Sequence, residues 1–158
     1  MKTIVVGLGN PLLGDDGVGW KVAEELRHQL VQDSGVVVEC YSLSGLSLME
    51  QLIGFDRVIL IDSLNTGRYP QGQVTIFTLD SLEDLTYGHS ASAHDASLKT
   101  ALSAGRSIGQ HLPADEDIHV VAVEAQHVYD FKEELTPAVA ASVPIAVEKA
   151  LEILKEVI

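Results

Sequence analysis

Two acids stand side by side in a glycine-rich turn, Gly7-Leu8-Gly9-Asn10-Pro11-Leu12-Leu13-Gly14-Asp15-Asp16-Gly17-Val18-Gly19. One acid there is explained by helix capping and by the positive end of the helix that follows. Two exceed what a cap needs, so capping and chemistry stand as equal readings of Asp15 and Asp16. A third acid, Asp62, closes the apolar run Arg57-Val58-Ile59-Leu60-Ile61-Asp62. Burying it unpaired is costly, so it must be solvated at a cleft, hydrogen-bonded or coordinated. The plainer alternative is a strand terminus that bonds into the turn at Ser63. His94, within Ser92-Ala93-His94-Asp95, supplies an imidazole just before an expected helix. Asp16, Asp62 and His94 together make a two-carboxylate, one-imidazole set that suits a borderline divalent ion such as Zn, Mn or Ni. Three protein ligands leave positions open for water or another molecule's donors.

Other histidines fit ordinary roles. His28 and His111 fall in helix tails, His119 follows the acidic run Asp115-Glu116-Asp117 and is expected to face solvent, and His89 lies in a polar loop. Glu124 and His127 are expected beyond the last strand, lining the same cleft or, as the favoured reading, only its solvated wall. Several chemistries are excluded by pattern. H-E-x-x-H is absent, and no G-x-S-x-G elbow stands at a strand-to-helix turn: the match at Gly105-Arg106-Ser107-Ile108-Gly109 falls in the expected third helix. A dinucleotide fingerprint would need Gly at position 12, where Leu stands, and two carboxylates would repel a pyrophosphate there. The single cysteine, Cys40, sits inside a strand and reads as a small buried hydrophobe; it also rules out an internal disulfide.

The elements that must position these groups alternate. Strands are expected at Thr3–Leu8, Val36–Tyr41, Arg57–Asp62, Gln73–Thr78 and Ile118–Val123. A first helix carries Val18, Val22, Leu26 and Leu30, and a short one runs from Leu46 to Ile53. A third follows Leu98, Leu102, Ile108 and Leu112, with Asp95 as its N-cap and Gly105 and Gly109 allowing close packing. Thr136-Pro137 starts a fourth, with Val139, Val143, Val147, Leu151 and Leu154 on its face. Alternation predicts a three-layer αβα sandwich with a mostly parallel sheet. The link from Leu64 to Gly72 is too short for a parallel crossover, so the strand after it should run antiparallel near an edge. Ligands in such folds bind outside the carboxyl ends of the strands, which directs attention to the residues after Leu8, Ile61 and Val123.

Composition bounds the answer. The 158 residues match a single domain over 1–158. A net charge of −13 argues against a nucleic-acid groove, which needs surplus Lys and Arg. Hydrophobic residues make up 46% and mean hydropathy is +0.19, enough for a real core. No run reaches the length of a membrane span, and Met1-Lys2-Thr3 leads straight into a strand without a signal-peptide pattern. A soluble cytoplasmic protein is the expectation, and nothing demands more than a monomer.

The run from Val6 to Gly19 resembles the signature of the hydrogenase maturation endopeptidases, which process the large subunit of NiFe hydrogenases. The resemblance continues through Ile61-Asp62-Ser63, Ser92-Ala93-His94-Asp95-Ala96-Ser97-Leu98 and Leu135-Thr136-Pro137, in order along essentially the whole chain. It implies an αβα fold with a mostly parallel five-stranded sheet. It also implies a metal-contacting trio that falls on Asp16, Asp62 and His94, with His89 as a rival for the third place. Many members carry Glu where this chain has Asp16. Gly7, Gly9, Asn10, Asp15 and Gly17 form the turn that holds the first acid. The implied activity is removal of a C-terminal extension from the hydrogenase large-subunit precursor after nickel insertion. The trio would transiently ligate nickel supplied by the substrate, acting in recognition, with no organic cofactor. For the cut itself, attack by a metal-bound water and aspartic-type catalysis with an acid as general base both stand.

Two rival readings remain. Peptidyl-tRNA hydrolases share the opening G-L-G-N-P, but Asp15-Asp16-Gly17 and the acidic balance do not suit tRNA. A metal-dependent assembly chaperone would use the same trio without cutting. The polar stretches 80–93 and 126–135 are the expected docking surface.

Overall fold

The first and third strands are apolar at nearly every position, and a strand of that kind must be covered on both faces. In a computed structural model every residue of β1 (Thr3–Leu8) and β3 (Arg57–Leu64) is buried. The structure describes residues 1–32, 34–81, 93–126 and 131–156, with the backbone alone for 93–96. The other elements are α1 (Val18–Gln29), β2 (Val36–Tyr41), α2 (Gly45–Leu52), β4 (Val74–Thr78), α3 (Ala93–Ser107), β5 (Ile118–Glu124) and α4 (Pro137–Lys155).

The strand order is β2-β1-β3-β5-β4. The first four strands in that order pair in parallel, and β4 pairs antiparallel with β5 at the edge. The short link after β3 dictates that reversal, as expected. Alternation along the strands divides the core in two. Ile4, Val6, Val58 and Leu60 pack with Leu48, Leu52, Leu98 and Leu102 of α2 and α3. Val5, Ile59, Ile61 and Val121 pack with Val22 and Leu26 of α1 and Val147 and Ile153 of α4. The result is the three-layer αβα sandwich with its mostly parallel five-stranded sheet.

The connections diverge at the centre: β1 leads through α1 to β2 on one side, while the chain leaves β3 toward β4 on the other. The crevice between the carboxyl ends of β1 and β3 is therefore the switch point where such sheets take ligands. Arg57 fixes the opposite end, donating to the carbonyls of Ile153 and Leu154 at 3.1 and 3.3 Å. Both carbonyls lie in the last turn of α4, where a cation is favoured.

Several boundaries differ from the sequence reading. β3 runs two residues past Asp62, and β5 includes Glu124. α3 starts at Ala93, so His94 and Asp95 lie within it rather than before it. It also stops at Ser107, leaving Ile108 exposed and Leu112 packing against the core from the next loop. Gly109 explains the stop. It has φ +92° and no neighbour within 4 Å, and Gln110 N donates to Gly105 O at 3.1 Å, the closing bond of a glycine C-cap. Only Gly105 serves packing, against Leu112 and Met49.

Candidate functional site

β1 ends at Leu8, and the chain must turn back at once to seat α1 on the sheet. Gly9 permits it. Its φ is +129°, and a side chain there would run into the backbone carbonyl of Asp16. Gly19 lies so close to the carbonyls of Leu8 and Ile61 that a Cβ would overlap both. Gly7 faces the Gly19 carbonyl in the same way, and a Cβ on Gly17 would stand 2.8 Å from Pro11 Cα. Asn10 shapes the loop between them. Its side-chain oxygen accepts from Leu12 N at 3.0 Å, a local turn motif of Asn.

Asp15 and Asp16 lie in a short 3-10 turn, Gly14–Gly17, and point different ways. Asp15 is buried and faces the start of α4. It accepts from Thr136 N at 2.7 Å, Thr136 Oγ1 at 2.8 Å and Gln71 Nε2 at 3.1 Å. Asp16 is half-buried and faces the strand ends. Its Oδ2 accepts from Asn10 N at 2.8 Å, and its Oδ1 from Ser63 Oγ at 3.4 Å. Asp62, buried in β3, accepts from Ser63 N at 2.8 Å. Gly7 pairs with Ile61, so Asp62 follows at the carboxyl edge beside the β1 turn. Ser63 thus links the two acids, its hydroxyl on Asp16 and its amide on Asp62.

Asp62 occupies the same alternate positions of β3 as Leu60 and Leu64, which face α2 and α3. The start of α3 reaches the same carboxyl edge. Ser97 Oγ lies 2.7 Å from where a Cβ on Gly45 would stand, and Gly45 opens the helix that follows β2. His94 is the second residue of α3, and its side chain, like His89 and His127, lies outside the described residues. Among the described residues no group of three His, Cys, Asp or Glu is placed to hold a metal ion. Asp16 and Asp62 bring two carboxylates to the crevice.

Other expectations are corrected. Glu124 is buried and lines no solvated wall. It accepts from Thr66 N at 2.9 Å, from Thr66 Oγ1 at 2.5 Å and from Gly67 N at 3.4 Å, pinning the link from β3 to β4. His119 does not face open solvent: burial, then the Arg57 guanidinium, pushes its pKa below the usual histidine range. His111 pairs with Asp56 at 2.8 Å, at the amino edge of the sheet. Cys40 is half-buried in β2, and burial raises its thiol pKa although Arg27 opposes the shift. The role of Asp15 was hidden from sequence reasoning, because its partner Thr136 is 121 residues away.

A family model described as hydrogenase maturation protease matches residues 20–153. The chain is 26% identical over 157 residues to the Hydrogenase 2 maturation protease of Escherichia coli, covering 99% of this chain and 92% of that protein. It is 26% identical over 154 residues to the hydrogenase expression/formation protein HupD of Rhizobium leguminosarum, covering 98% and 74%. Among solved structures it resembles the hydrogenase maturating endopeptidase HybD of E. coli, with TM-score 0.79, 26% identity and coverage of 99% and 93%. HybD of Thermococcus kodakarensis shares the fold, at TM-score 0.76, 24% identity and coverage of 98% and 99%.

Proposed function

The chain belongs to the hydrogenase maturation protease family, and from that premise we propose that it removes the C-terminal extension of a NiFe hydrogenase large-subunit precursor once nickel is in place. Its relatives and structural neighbours are endopeptidases, so the chemistry is hydrolysis of a peptide bond. The observation that carries the reading is the placement of Asp16 and Asp62 on either side of Ser63, at the crevice where the strand order reverses.

Asp16, Asp62 and His94 act as the receptor for nickel that arrives inside the substrate. Oxygen donors and an imidazole suit that ion. A precursor without nickel lacks the feature these residues grip, so the ion decides which molecules are cut. Once gripped, the scissile amide is held against the carboxylates. One of them takes a proton from the attacking water, and the proton passes to the departing amine nitrogen as the C–N bond breaks. The thiol of Cys40 takes no part, because its burial disfavours the thiolate that such a nucleophile needs. Among the described residues no helix is long and apolar enough to cross a membrane. We place the activity in the cytoplasm, carried by a monomer of one domain.

Intact mass of the precursor, with and without nickel and with and without this protein, tests the reading. A discrete C-terminal peptide should be lost from the loaded form only. Asp16→Asn, Asp62→Asn and His94→Ala should each slow processing by about a hundred-fold or more, the usual scale for a positioned acid or base. Equal cutting of nickel-free precursor, or full activity in all three variants, would overturn it.

A further inference from the structure

Two large apolar side chains stand in the open beside the crevice. Leu12 is 50% exposed and Phe131 is 86% exposed. They are far apart in sequence but held together by backbone. Lys132 N donates to Leu12 O at 2.9 Å, and Gly14 N donates to Lys132 O at 2.6 Å, a parallel bridge centred on Leu13 and Lys132. That bridge brings the backbone of Leu12 alongside the segment that Phe131 opens.

The strap is fixed at both ends. On one side Asn10 Oδ1 accepts from Leu12 N, while Asn10 N donates to Asp16, so Leu12 belongs to the turn that presents the acid. On the other side Thr136, four residues past Lys132, is bonded to Asp15. The backbone that carries the two side chains is therefore held in place before any partner arrives, which lowers the entropy lost on binding. Glu133 and Glu134 follow directly and are exposed, on a chain of net charge −13.

We propose that Leu12 and Phe131 form a lip that takes an apolar side chain of the precursor polypeptide, with Glu133 and Glu134 meeting basic residues beside it. The inference rests on the proposed processing activity and names the part of the substrate that this edge of the site selects. The occupant is an extended segment next to the scissile bond, because the lip is continuous with the turn that carries Asp16. Apolar contact of this kind is made equally in the ground state and the transition state, so it sets KM and leaves kcat alone.

Processing kinetics on the nickel-loaded precursor test this. Leu12→Ser and Phe131→Ser together should raise KM about ten- to a hundred-fold at unchanged kcat, the effect of exposing a buried apolar side chain. Phe131→Leu should restore most of the loss. Glu133→Gln with Glu134→Gln should raise KM and flatten its dependence on salt. Ile108→Ser is the control: that side chain is 76% exposed and follows the far end of α3. Wild-type KM in the Leu12/Phe131 variant, or an equal rise in the Ile108 variant, overturns the lip. Should the wild type fail to shorten the precursor, the processing activity itself is refuted. The lip is then decided by the affinity of intact precursor for wild type against the double variant: weaker binding to the variant upholds it, and equal binding overturns it.

Discussion

Asp15→Asn separates the two neighbouring acids by what each holds. Asp15 carries a negative charge to the first turn of a 19-residue helix, α4, whose own N-cap residue Thr136 makes no side-chain capping bond. Asparagine keeps one acceptor oxygen for Thr136 N. Its amide then meets the Gln71 amide donor to donor, and the Thr136 hydroxyl must rotate to accept. The loss is one hydrogen bond, the charge assistance of two others and the favourable field at the helix start. Bonds to a charged group are worth about 1.5–3 kcal/mol each, not additively. The helix-end charge adds up to about 2 kcal/mol in a partly buried geometry. With Asn recovering part of both, the net cost should be about 2–3 kcal/mol. For a chain of this size that lowers Tm by roughly 5–10 °C. Thermal unfolding by circular dichroism reads the shift, and processing is then measured well below the lowered transition. The variant should cut at nearly the wild-type rate there, whereas Asp16→Asn should unfold near the wild-type temperature and fail to cut. A Tm within about 2 °C of wild type would refute the assigned strength of the clamp. Loss of cutting in folded Asp15→Asn would move Asp15 into the reaction itself.

Gly19→Ala should be among the most damaging single methyl additions, because its Cβ would meet two strand-end carbonyls that cannot step aside. A loss of more than about 3 kcal/mol is expected by urea unfolding, and a near-normal midpoint would mean that α1 sits further from the sheet. His119 gives a pH signature. Its folded pKa is depressed by burial and then by Arg57, despite opposition from Glu156, Asp117 and Asp80. The unfolded chain therefore takes the proton first, at about 6.5, and stability must fall as pH drops through that value toward the lower folded pKa. Urea midpoints at acidic and neutral pH should show a smaller acid loss in His119→Gln; the same loss in both proteins would refute the assignment.

Much of the architecture was legible because it follows from local pattern. The run from Arg57 to Ile61 has no polar face, which forces a central parallel strand, and the short link after Leu64 leaves β4 no route but the antiparallel edge. The ends of elements were less legible. Periodicity carried the third helix past Ser107, whereas Gly109 marks the stop, a signal misread as packing. Asp62 looked like a strand terminus because acids seldom sit inside apolar strands. The pairing of Asp62 with Ala122 and of Ser63 with Val123 carries the strand past it. Glu124 read as a solvated residue for the same reason, since nothing near it in sequence announces Thr66 as its partner. Polar groups inside a fold are explained by what they bond, and those bonds join residues that the chain brings together only when folded.

The paired acids show this most sharply. Successive residues of a 3-10 turn are set about 120° apart around its axis, so Asp15 and Asp16 cannot face the same neighbour. Once Gly9 and Gly19 let the turn lie against the strand ends, one acid must point toward α4 and the other toward the crevice. Capping and chemistry, which compete when the two letters are read together, are then properties of different residues. The first serves a helix that begins 121 residues later, and the second is left at the strand edge with Ser63 and Asp62. Each is held by its own bonds, Asp15 by Thr136 and Gln71 and Asp16 by Asn10 and Ser63, so the turn serves both without either acid depending on the other.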